Sequence, residues 1–190
     1  MSKENLKNKG FTLVETLVAI SILSLSIAAT FTAVQNGIQN STIAKDQTTA
    51  FYLTQEAMEY IKNIRDENAL YSIQNPDAPR NWLYGFSSEA GDPCYFGKVC
   101  KIDVPLKTVT NCGSAAITAS PPNLCVVLNQ DQTTSLFGYT VSWTPTRFRR
   151  EVQIRQLVAN TEIEVIVSIS WTSRAGTKFF QASETFFNRQ

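Results

Sequence analysis

Between Glu15 and Lys45 lie 29 residues, Thr16 to Ala44, without a charged side chain. No other feature restricts the fold so strongly. Phe11 to Val34 is a stretch of 24 residues carrying one charge, Glu15. As a helix, at about 1.5 Å per residue, it reaches roughly 36 Å, enough to cross an apolar bilayer core of about 30 Å. The first proline is Pro76, so nothing here breaks a helix. A buried core helix of this kind needs a large domain around it, which 190 residues scarcely provide.

The segment ahead of it is basic. Lys3, Lys7 and Lys9 outweigh Glu4, and such a flank stays on the cytoplasmic side while the chain beyond is exported. An ordinary secretory signal also begins this way, and Ser26-Ile27-Ala28 has the small-x-small form of a cleavage site. Glu15 argues for something else. A carboxylate inside an apolar run is costly in a membrane, and one retained there calls for a partner.

Lys9-Gly10-Phe11-Thr12-Leu13-Val14-Glu15, followed by about twenty apolar residues, closely resembles the class III signal of type IV prepilins and type II secretion pseudopilins. The resemblance implies a cut between Gly10 and Phe11 by a prepilin peptidase, which also methylates the new amino group of Phe11. Gly10, lacking a Cβ, lets the backbone lie close in a peptidase cleft. The resemblance also implies that Glu15 of one subunit neutralises the Phe11 amine of its neighbour in a filament, because unpaired buried charges are very costly. Ala50 to Asp66 is similar to the second half of the long helix in minor pilins, most of all the pilus-modification type. Where major pilins of the best-known class carry a helix proline, this sequence has Thr32.

The residues alone extend the helix beyond the membrane. Ile43, Ala50, Phe51, Ala57, Met58, Ile61 and Ile64 fall on one face at helical period. Gln55, Glu56, Glu59, Lys62, Asn63 and Asp66 fall on the other. A continuous helix from about Phe11 to Asp66 would be roughly 84 Å long. Its second half needs a partner along one stripe, and the C-terminal part of the chain is the expected one.

Residues 68–100 are rich in turn signals, including Asn75-Pro76-Asp77-Ala78-Pro79 and Gly91-Asp92-Pro93. Trp82, Leu83, Tyr84 and Phe86 are apolar enough to pack on the helix or a sheet. Asp77, Asp92, Asp103 and Asp131 follow no calcium-loop spacing and read as turn residues. Cys94, Cys100, Cys112 and Cys125 contain no C-x-x-C pair, and an even count in an exported domain points to disulfides. Three connectivities are open. Cys94–Cys100 with Cys112–Cys125 is preferred because each closes a local loop.

The last third alternates as strands do. Phe137–Trp143, a run through Val152 and Ile154, and Ile163 to Trp171 read as strands. Ser173–Thr177 reads as a hairpin turn, with Lys178–Phe187 returning. The expectation is an antiparallel sheet of three to five strands, one face on the helix and the other in water. Arg147, Arg149, Arg150 and Arg155 form a basic run, expected on a solvated sheet edge. Glu151, Glu162 and Glu164 blunt it, which argues against DNA as a partner.

The fold class expected is α+β, a long N-terminal helix packed on a C-terminal antiparallel β-sheet head. The expected division is a leader at 1–10, an assembly and membrane half at 11–36, an amphipathic half at 37–68 and a disulfide-containing head at 69–190. There is no histidine, which excludes Ser-His and Cys-His nucleophile pairs and histidine metal sites. No catalytic constellation, metal site or cofactor motif emerges, so a structural role rather than an enzyme is expected. The resemblance implies a minor subunit of a pilus or pseudopilus. Its implied partners are the prepilin peptidase/methyltransferase, other pilin or pseudopilin subunits, the inner-membrane assembly platform and, before assembly, the lipid bilayer. The head would lie outside the cytoplasm. The alternative is a membrane-anchored or secreted binding domain, such as an adhesin, with no filament role.

Overall fold

The computed structural model describes residues 10–173 and 176–188. Residues 1–9 of the expected leader (1–10) and 174–175 of the expected hairpin turn lie outside the described residues. A helix, α1, spans Leu13–Gln74, and seven strands follow it. These are β1 (Lys98–Asp103), β2 (Thr108–Ser114), β3 (Val127–Gln130), β4 (Phe137–Gly138), β5 (Thr144–Val158), β6 (Glu162–Ser173) and β7 (Gly176–Phe187). The chain divides into two compact units with the boundary after Asp46.

α1 runs eight residues past the expected end at Asp66. Its last turn closes where Asn75 N–H donates to Tyr71 O at 2.9 Å, just before Pro76. Neither Thr32 nor Gly37 interrupts it. Hydroxyls along the apolar stretch donate to their own helix. Ser21 reaches Leu17 O (2.8 Å), Ser26 reaches Ile22 O (2.9 Å) and Thr32 reaches Ala28 O (3.0 Å). Such back-bonding satisfies a hydroxyl without water and so suits an apolar solvent.

In the second unit the helix packs on the sheet. Ala50, Leu53, Ala57, Met58 and Ile61 join Ile102, Val152, Ile154, Val165, Val167 and Ile169 in one core. Leu53 and Thr54, absent from the expected stripe, are buried in it. Phe51 and Ile43, expected in the stripe, stay about half exposed, at 52% and 46%. Thr54 is admitted because its hydroxyl is bonded to Ala50 O at 2.9 Å. Trp82, Leu83 and Phe86 cover the same core, fixed by Asn68, whose side-chain amide donates to Trp82 O and Tyr84 O (3.3 and 3.1 Å). Tyr84 stays exposed, with the Arg80 guanidinium over its ring at 5.1 Å.

Among the described residues the sheet has seven strands, more than the three to five expected, and their pairings are antiparallel. β5 is its spine. β6 pairs along one side of it, and β3 and β1 share the other; β7 pairs β6, β2 pairs β1 and β4 pairs β3. β5 is therefore central, which corrects the expected sheet edge around Arg147–Arg155. The expected strand at Phe137–Trp143 also gives way. Only Phe137–Gly138 pairs, and the chain then turns through 139–143. Asp103 causes this departure. It is buried, and besides serving the turn that follows β1, where its carboxylate accepts Leu106 N–H (3.3 Å), it accepts Tyr139 N–H (2.9 Å). Gly138 allows the approach, since a Cβ there would lie 3.0 Å from Asp103 Oδ1 and from the Trp143 ring.

The face away from the helix is not open to water throughout. Ile166, Ser168 and Ser170 of β6 and Glu151 and Gln153 of β5 are buried. The segment 115–126 straps over them. Glu151 accepts the N–H groups of Asn123 (3.0 Å) and Cys125 (2.8 Å), Gln153 Nε2 donates to Ala115 O (3.0 Å), and Ser170 Oγ donates to Asn123 Oδ1 (2.9 Å). Asn123 has φ of 58°, a left-handed conformation that Asn tolerates. Alternation alone misses this second buried face because its residues are polar and are satisfied only by a distant segment.

Candidate functional site

The residues singled out at the N-terminus lie together at the start of α1. Gly10 and Phe11 precede the helix and are exposed, and Glu15 sits in its first turn. Thr12 begins the turn as an N-cap does. Its hydroxyl accepts Glu15 N–H at 3.3 Å, and its carbonyl accepts Thr16 N–H at 3.2 Å. A carboxylate in a first turn also meets the positive end of the helix dipole.

From Leu13 onward the helix exposes large apolar side chains on every side. Leu13, Val14, Leu17, Val18, Ile20, Ile22, Leu23, Leu25, Ile27, Phe31, Val34 and Ile38 are all exposed. From Gly10 to Lys45 every residue is exposed. This stretch is long and apolar enough to cross a membrane. An apolar surface of this extent marks a membrane or protein contact.

The four cysteines lie in the head and form two disulfides, Cys94–Cys100 and Cys112–Cys125, with Cα atoms 5.2 and 5.1 Å apart. The first ties the loop ahead of β1 to β1 itself. The second ties β2 to the strap, next to the bond from Cys125 N–H to Glu151.

The basic run is dispersed. Arg150 points into the core and pairs with Glu56 of α1 at 2.5 Å. Arg155 pairs with Glu164 at 3.2 Å on the opposite face. Arg147 and Arg149 remain together near the strap. The pairing of Arg150 with Glu56, a residue expected on the solvent side of the helix, had no sequence signal: the two are 94 residues apart.

Residues 5–31 match the family model of the prokaryotic N-terminal methylation motif. No curated protein and no solved structure gives a match. The match supports a type IV pilin-like prepilin. The long apolar helix on a disulfide-bonded antiparallel sheet is consistent with the α+β pilin fold. The family defined by this motif is structural, and the motif implies processing by a prepilin peptidase and assembly with other pilins.

Proposed function

We propose that this chain is a structural subunit, of the minor class, of a type IV pilus or type II secretion pseudopilus. The observation that carries the reading is the exposed apolar first half of α1, most of which lies within the matched methylation motif. In this reading residues 1–10 are removed as a leader, Phe11 becomes a methylated N-terminus, and 11–36 hold the subunit in the membrane until assembly. Residues 37–68 carry the helix into the head, and 69–190 supply the head's sheet and disulfides. Three lysines and one glutamate leave with the leader, so the formal charge changes from +1 to −1. Assembly exchanges lipid for the helices of other subunits, with Glu15 meeting the Phe11 amine of a neighbour. An ion pair in such surroundings sets register more than it adds stability.

Intact mass spectrometry of the chain recovered from its native membrane tests this. A chain beginning at methylated Phe11 is expected. A chain beginning at Met1 or Ala29 would reject the prepilin route in favour of an anchored or secreted binding domain.

A further inference from the structure

Arg147 and Arg149 are two residues apart on β5 and so share one face of the sheet, the face away from α1. The register sets Arg149 beside Val127 of β3 and Ser170 of β6, and pairs Thr172 of β6 with Thr177 of β7. With Asn123 of the strap these residues line a pocket of about 200 Å³. Among the described residues, no aspartate or glutamate lines it. Glu151, the next residue on this face of β5, has its two oxygens turned to the N–H groups of Asn123 and Cys125. The Nε of Arg149 is buried and has no hydrogen-bond partner among the described residues. A buried guanidinium donor without an acceptor is costly. The Nε of Arg150, in the core, shares that state, and what distinguishes Arg149 is that its side chain also lines the pocket.

We propose that this pocket binds a small oxyanion, a phosphate or carboxylate group, with Arg149 as its main ligand. The guanidinium fork presents parallel N–H donors that match two oxygens of one anionic group. Arg147 adds a second positive charge at the rim, and the hydroxyls of Thr172 and Thr177 supply neutral donors on the β6–β7 side. The volume admits one such group with its immediate substituent, not a polymer backbone. The site is independent of the N-terminal motif, so it stands or falls apart from the filament reading.

The test uses the full chain in nonionic detergent and phosphate-free buffer. Inorganic phosphate and, separately, sodium glucuronate are titrated calorimetrically at constant ionic strength. Saturable binding of at least one is expected, and the tighter of the two identifies which oxyanion the pocket serves. Arg149→Gln should weaken it at least about tenfold. Arg155→Gln, which removes a cation on the same face outside the pocket, should leave it unchanged. Near-UV circular dichroism checks that the Arg149 variant is folded, and Thr172→Val provides a milder second variant with a smaller loss. Absence of saturable binding of both probes, or equal affinity in a folded Arg149→Gln protein and the parent, overturns the proposal.

Discussion

Arg150 of β5 and Glu56 of α1 form an ion pair in which one member is fully buried and the other is not. The guanidinium has no exposure, whereas the Glu56 side chain is 30% exposed. Arg150 also donates to Leu53 O (3.2 Å) and Ile102 O (2.6 Å), so one side chain joins the helix, β5 and β1. The asymmetry makes the two partners unequal. Glu56→Ala strands a buried cation and should cost about 3–5 kcal/mol. Arg150→Met leaves a carboxylate that can rehydrate, and its main loss is the bond to Ile102 O, about 1–3 kcal/mol. Urea unfolding of the detergent-solubilised chain measures both. Trp82, Trp143 and Trp171 all lie in the second unit, so fluorescence reports on that unit. A larger loss for Arg150→Met than for Glu56→Ala would refute this account.

The two disulfides should contribute unequally. Cys112–Cys125 spans 13 residues and Cys94–Cys100 spans 6. Chain-entropy arguments give about 3 kcal/mol for the first and about 2 kcal/mol for the second. Paired Cys→Ser replacements, compared by urea midpoint, check the order. Losing Cys112–Cys125 should also speed hydrogen exchange at the Asn123 and Cys125 amides, because the strap loses its covalent tether. Unchanged protection there would mean that Glu151 alone holds the strap.

Alkaline pH should weaken the head through Tyr139. Burial pushes its phenol up to about 12 from 10.0, partly opposed by the neighbouring Arg150 charge. The hydroxyl donates to Arg150 O at 3.4 Å. The folded state therefore keeps the proton more tightly than the unfolded chain. The contribution is fully present below pH 10 and is lost as pH rises towards about 12. Tyr139→Phe should flatten the stability decline across that window, as read from urea midpoints at stepped pH. An equally steep decline in the variant would assign the effect to other groups.

Glu15→Ala should leave membrane insertion intact, since it removes a charge from the start of an apolar segment. Incorporation into filaments should fall, because the amine of a neighbouring subunit loses its counter-charge. Membrane fractionation and quantification of sheared fibres separate the two steps. Undiminished incorporation would exclude a pairing role for Glu15.

The helix was legible because its signal is local. The charge-free run at Thr16–Ala44 and the period of Ala50, Ala57, Met58 and Ile61 depend on nothing elsewhere in the chain. β6 was legible for the same reason, its core face reading Ile163, Val165, Val167, Ile169 and Trp171. The spine strand β5 was only partly so. Its buried positions include Arg150, Glu151 and Gln153, and each is tolerable only because of a partner outside the strand. Phe137–Trp143 had the alternation of a strand but lost its pairing to the turn anchored by Asp103. At the N-terminus, the motif from Gly10 to Glu15 was readable in full, whereas the Arg147–Arg149 pocket depends on a strap whose course only the fold reveals.

The hydroxyls of Ser21, Ser26 and Thr32 are spent on their own helix. In the filament reading proposed above, a helix whose hydroxyls at these positions are bonded internally offers adjoining helices mainly apolar surface and shape there. On that reading, discrimination between right and wrong companions rests more on the Glu15 carboxylate and on the individuality of the head than on these hydroxyls.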